Sequence, residues 1–206
     1  MEQAISSRFM YRIALFFLPL AFALTGCEEH VAVPKPRLYP RVLYPEKIYR
    51  TVEEGYCPFS FEAPTYARVE RDTLFFEEAV KSDCWFNLGV AELNAKIHCS
   101  YYPVTSRKRF DELVQDAFVM AQKHNIKASY IEEIPVDRPK ARVHGMVFSI
   151  EGPAASSYQF YLTDSTEHFL RGALYFDTQA RPDSLAPVLA FMKADINRLL
   201  ATLAWK

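Results

Sequence analysis

Two hydrophobic rhythms run along the chain. Apolar residues fall at every second position in CPFSFEA (57–63), where Phe59, Phe61 and Ala63 share a face. They do so again in LNAKIHCSY (93–101), with Leu93, Ala95, Ile97, Cys99 and Tyr101 on one side. A period of two marks strands that bury one face. After Ser106 the spacing changes to threes and fours: Phe110, Leu113, Val114, Ala117 and Ala121 form a stripe, with Asp111, Glu112, Gln115, Asp116 and Gln122 opposite. This predicts a helix over 106–124 with Ser106 as its N-cap. Strands are expected in 85–104 and at 126–134, 142–150, 158–163 and 168–176. A second helix is expected over 183–206, where Leu185, Val188, Leu189, Met192, Ile196, Leu199, Leu200 and Leu203 lie on one side. Pro187 is placed in its first turn, where a missing donor costs nothing. Strands joined by short turns and interrupted by only two helices predict an α+β class, a mainly antiparallel sheet with two packed helices.

The order of these elements resembles the PsbP/Mog1-like α/β/α sandwich, a likeness of fold that carries no function with it. Ahead of them the pattern is of another kind. Arg8 and Arg12 precede an apolar run, Ile13 to Leu24, that ends in Leu24, Thr25, Gly26 and Cys27. A basic flank and about a dozen apolar residues make a secretory signal, too short to span a bilayer comfortably. The last four positions resemble the bacterial lipobox, in which cleavage leaves the cysteine first and acyl chains, palmitate among them, are attached to it. More than one acyl chain gives stable anchoring. Prolines 34, 36, 40 and 45 follow. Such density favours polyproline II, about 3.1 Å per residue, so the segment either holds the domain off the membrane or packs Leu38, Tyr39, Leu43 and Tyr44 onto it. The expected organisation is a signal peptide at 1–26, lipidated Cys27 with a tether at 27–45, and one globular α+β domain at 46–206.

Composition narrows the function. Half of the 206 residues are apolar and 15% aromatic, enough for a real core, and the formal net charge is −1. That balance lacks the basic excess a nucleic-acid binder needs. Three cysteines follow Cys27. Cys99 falls on an apolar strand face and reads as a buried free thiol, which leaves Cys57 and Cys84 as the natural disulfide pair. Closing that loop would contribute about 3–4 kcal/mol in the chain-entropy model. No metal-ligand spacing is present, and the five histidines are scattered. Neither a metal nor a cofactor is expected.

The residues most suggestive of chemistry are Asp164, Ser165, Thr166, Glu167 and His168, with Arg171 beyond. Tyr158, Phe160 and Leu162 alternate with Gln159, Tyr161 and Thr163, as in a half-buried strand, and Leu170, Leu174 and Phe176 share a face in the next. The polar run therefore sits at a hairpin tip, where Asp, Ser and Thr bond back to local backbone. A serine hydrolase would need a strained nucleophile turn and an oxyanion hole, and neither motif is visible. Elsewhere, Lys96, His98 and Ser100 point away from the core, His124 suits a helix C-terminus, and Glu132 and Glu133 face opposite ways. His144 is a lone strand histidine. No reaction is specified, and no catalytic residue is assigned.

Longer blocks carry a resemblance. CPFSFEAPTYA (57–67), CWFNL (84–88), AKIHCSYYPV (95–104), QKHNIKA (122–128), QFYLTDSTEHFLRGALYF (159–176) and DSLAPVL (183–189), with a closing AWK, resemble the gliding-motility lipoprotein GldD family. Cys99 stands where an aliphatic residue would be expected, and Tyr102 where a lysine is more usual. The resemblance implies a non-enzymatic lipoprotein of the cell envelope, anchored through Cys27, facing the periplasm and needed for gliding and the associated type IX secretion machinery. It implies Cys57–Cys84 as a staple, other envelope proteins as partners, and Asp164, Glu167 and Arg171 as the candidate partner surface. The alternative is an envelope module binding a small molecule or glycan, which would need a deep aromatic pocket.

Overall fold

The computed structural model describes residues 42–206 apart from 56, 72–73, 76–77, 80–81 and 180, with backbone alone at 74–75 and 78–79. The chain divides into two compact units, Met1–Tyr39 and Pro40–Lys206, and only the second contains described residues. The signal peptide, Cys27 and the tether as far as residue 41 lie outside them.

The strands are β1 (Tyr49–Val52), β2 (Phe59–Pro64), β3 (Arg68–Arg71), β4 (Leu74–Phe75), β5 (Glu78–Ala79), β6 (Phe86–Val90), β7 (Ala95–Pro103), β8 (Tyr130–Arg138), β9 (Val143–Glu151), β10 (Ser156–Thr163), β11 (His168–Phe176) and β12 (Ala204–Trp205). The helices are α1 (Arg107–Gln122) and α2 (Pro182–Thr202). Seven strands form one antiparallel sheet in the order β3-β6-β7-β11-β10-β9-β8; β1-β2-β12 form a second sheet and β4-β5 a two-stranded ribbon. The α+β class is as the hydrophobic pattern predicts.

Each face of the large sheet has its own core. On one, Leu88, Ile97, Cys99, Phe160, Leu162, Leu170 and Leu174 meet Phe59, Phe61 and Ala63 of β2 and Met192, Ile196 and Leu199 of α2. On the other, Leu113, Ala117 and Ala121 of α1 cover Phe148, Ile150, Tyr161 and Phe169. Residues 158–163 are therefore buried on both faces rather than one: their alternation separates two cores, not core from solvent.

Local chemistry sets the element ends. The Ser106 hydroxyl accepts the Arg109 N–H at 3.1 Å and caps α1 as expected. α2 begins with Pro182 rather than at 183, so Pro187 lies inside the helix, beyond the first turn. β8 starts four residues later than expected, after a 3-10 turn at Lys123–Ile126, and runs through Pro135. It can do so because it is an edge strand, where proline need not donate to a second neighbour. Cys57 and Cys84 are joined, with Cα atoms 5.5 Å apart, and Cys99 is buried and free. Burial pushes the Cys99 thiol pKa up, away from the reactive thiolate. Among the described residues no helix is long and apolar enough to cross a membrane.

Candidate functional site

The turn between β10 and β11 is built around one carboxylate. Asp164 points inward with no side-chain exposure. Its Oδ1 accepts the backbone N–H groups of Thr166 at 3.0 Å, Glu167 at 2.9 Å and His168 at 2.8 Å. Its Oδ2 accepts the Thr166 hydroxyl at 2.8 Å and an Arg142 N–H at 3.0 Å. Burial alone would raise the Asp164 pKa, but the three backbone donors and the Thr166 hydroxyl outweigh it and hold the carboxyl well below the usual carboxylate range. Ser165 crowns the turn at φ 67°, a left-handed conformation tolerated because its N–H bonds Thr163 Oγ1 at 2.9 Å.

His168 closes the turn from beneath. It is buried, its Nδ1 lies 2.9 Å from the Tyr101 hydroxyl, and its ring stacks on Trp205 at 5.1 Å between centroids. Trp205 Nε1–H in turn donates to the Arg142 carbonyl at 3.2 Å. Arg142 thus bonds both Asp164 and Trp205, from a left-handed φ of 53° that follows the turn Pro139–Ala141. Asp164, Glu167 and His168 each offer a ligand atom within 4.8 Å of the others. The Asp164 oxygens, however, are already committed to five donors, more than the roughly four lone-pair sites of a carboxylate.

The three residues expected to form a partner surface are held in three different ways. Asp164 is internal, Glu167 projects into solvent, and Arg171 sits in the body of β11 opposite Ser100. Arg171 donates to Gln159 Oε1 at 3.0 Å. The turn is thus a cross-braced corner of the fold, and Arg171 belongs to the sheet face beside α1.

Two features escape the sequence pattern. Asp195, 3% exposed on α2, accepts from Lys47 Nζ at 2.6 Å, Tyr49 Oη at 2.9 Å and Tyr66 Oη at 2.5 Å. Lys47 also donates to the Phe191 carbonyl at 3.0 Å and lies 3.6 Å from its ring centroid, while the Tyr44 ring is 4.7 Å away. The last tether residues therefore split: Tyr44 packs on α2 and Leu43 stays exposed, while Leu38 and Tyr39 fall outside the described residues. No periodic signal marks Asp195, since an acid within an apolar helical stripe is normally excluded. The second feature is a cavity of about 180 Å³ beside the disulfide, lined by Val52, Phe59, Phe61, Val69 and Phe86, with Arg71 and Asp83 at its edge.

A layered α+β domain with a braced hairpin corner is the class that this geometry defines. The chain belongs to a family within it: the model of the gliding motility lipoprotein GldD family matches residues 29–205. It is therefore a lipoprotein associated with gliding motility. A search of curated proteins finds no match. Among solved structures, the cyanobacterial PsbP (CyanoP) of Synechocystis sp. PCC 6803 is similar at a TM-score of 0.46 and 8% identity, over 77% of this chain and 92% of that one.

Proposed function

We propose that the protein is a non-enzymatic component or assembly factor of the gliding motility and type IX secretion machinery, anchored in the cell envelope by acyl chains on Cys27 and facing the periplasm. The family match over residues 29–205 carries this reading. The site geometry supports it: the Asp164 carboxylate and the His168 ring, two of the chemically capable groups of the 164–168 run, are occupied in bracing a turn. The binding-module alternative draws on the cavity beside the disulfide. At about 180 Å³ this cavity is smaller than the roughly 300 Å³ at which small-molecule sites begin.

The test is a deletion strain complemented separately with the wild-type and Cys27→Ala genes, scored for colony spreading and for protein in the culture medium. Loss of both phenotypes, restored only by the wild-type gene, is the expected result. Normal spreading and secretion in the deletion strain would sink the assignment.

A further inference from the structure

The α1 face of the large sheet is only partly covered. α1 lies over β8, β9, β10 and the Phe169 end of β11, while farther along the outward residues of β7 and β11 form a polar field. In register, Ser100 faces Arg171, His98 faces Ala173 and Lys96 faces Tyr175. Lys96, His98 and Tyr175 are exposed, and a Cβ built on Gly89, the cross-strand neighbour of Lys96, would meet open space.

At the covered end of this field stands Arg171. Among the described residues its guanidinium has no carboxylate within 4.0 Å, and its bonded partner is the amide oxygen of Gln159. Gln159 is 2% exposed, and among the described residues its Nε2 finds no acceptor. Asp116 of α1 acts on Arg171 only at longer range, alongside Tyr102 and Tyr175. A half-buried cation and a buried amide donor side by side, with no anion between them, are unusual because the desolvation of the charge is left uncompensated. The arrangement is an excess of donors lacking an acceptor.

We propose that Arg171 anchors a carboxylate-binding site that receives an acidic side chain of a partner protein segment laid across β7 and β11. Tyr102 and Tyr175 flank the position, and Lys96 adds a donor at its open side. A guanidinium fork matches a carboxylate with two parallel bonds. A single fixed cation balances a carboxylate's single charge, whereas phosphate sites draw on nests of backbone N–H groups that a sheet face does not present. That the carboxylate comes from a protein rests on the assembly reading above; the site itself does not.

The test uses the purified full-length chain in detergent and a fluorescein-labelled Asp-Glu hexapeptide, with an Asn-Gln hexapeptide and inorganic phosphate as comparisons. The acidic peptide should bind, more weakly as salt is raised, and the neutral peptide should not. Arg171→Gln should weaken binding about tenfold or more, as expected for losing a charged hydrogen-bonded contact. Ser100→Glu keeps the question decidable if that variant misfolds. It sets a carboxylate opposite Arg171 and should abolish peptide binding without lowering the melting temperature. Unchanged affinity in both variants would overturn the proposal, as would absence of binding or phosphate competing as well as the peptide. Normal spreading of the deletion strain alongside intact peptide binding would remove the motility reading and leave the site standing.

Discussion

Asp164 holds five hydrogen bonds on two oxygens inside the fold, so its charge is part of the turn's structure. Its pKa is depressed in the folded state. The stability it contributes is therefore present above the unfolded carboxyl value of about 4 and lost as pH falls toward the lower folded value. Asp164→Asn keeps an acceptor for the three backbone donors but turns an amide toward Thr166 and Arg142. The variant should lose about 2 kcal/mol at pH 7, the scale of a hydrogen bond to a charged group. Its melting temperature should also change less than the wild type's between pH 5 and 2. Calorimetry across that range checks both, and equal acid sensitivity of the two proteins would remove Asp164 from the account. The sequence reading recognised the turn chemistry, because Asp at a hairpin tip bonds locally. It could not see that Arg142, twenty-two residues away, completes the shell.

At the scale of elements, legibility followed periodicity. α1 was readable because its stripe and Ser106 cap are local signals, and β10 and β11 because their alternation spans several residues. β1 and β12 carry no comparable pattern: the one has only Val52 fully buried, and the other is two residues long. Both exist because β2 offers them an edge on either side, a tertiary cause that no local pattern records. The same limit applied to Asp195 and to the Arg171–Gln159 pair, where the meaning of each residue depends on what the fold brings beside it. The Cys57–Cys84 link ties β2 to the approach to β6 across twenty-seven residues. Replacing both cysteines with alanine should cost about 3–4 kcal/mol, read as an earlier midpoint in urea. Cys99 should stay inert to thiol reagents until the protein unfolds, and an unchanged midpoint would mean that the loop is already held by its strands.

Across the whole molecule, Asp195 joins the entering chain to the last helix. Burial, then the bond to Asp195 and its charge, raise the Tyr49 pKa to about 12. The corresponding stability is complete below the unfolded phenol value of about 10 and drains away as pH rises toward 12. Asp195→Asn removes the charge and leaves a weaker, neutral acceptor, so phenolate absorbance should develop at lower pH in the variant. Loss of the charged acceptor should also cost about 1.5–3 kcal/mol at neutral pH, and identical alkaline titrations would show that Asp195 does not hold the tyrosines.

Pairing on both edges of β2 has a mechanical sequel. β1 and β12 each run antiparallel to β2 and so parallel to one another, with Tyr49 at the Pro64 end and Trp205 at the Phe59 end. Tension applied between the leading chain and Lys206 drags the two outer strands in opposite directions along β2. Their ladders are then loaded in shear, every bond sharing the force, instead of being unzipped one bond at a time.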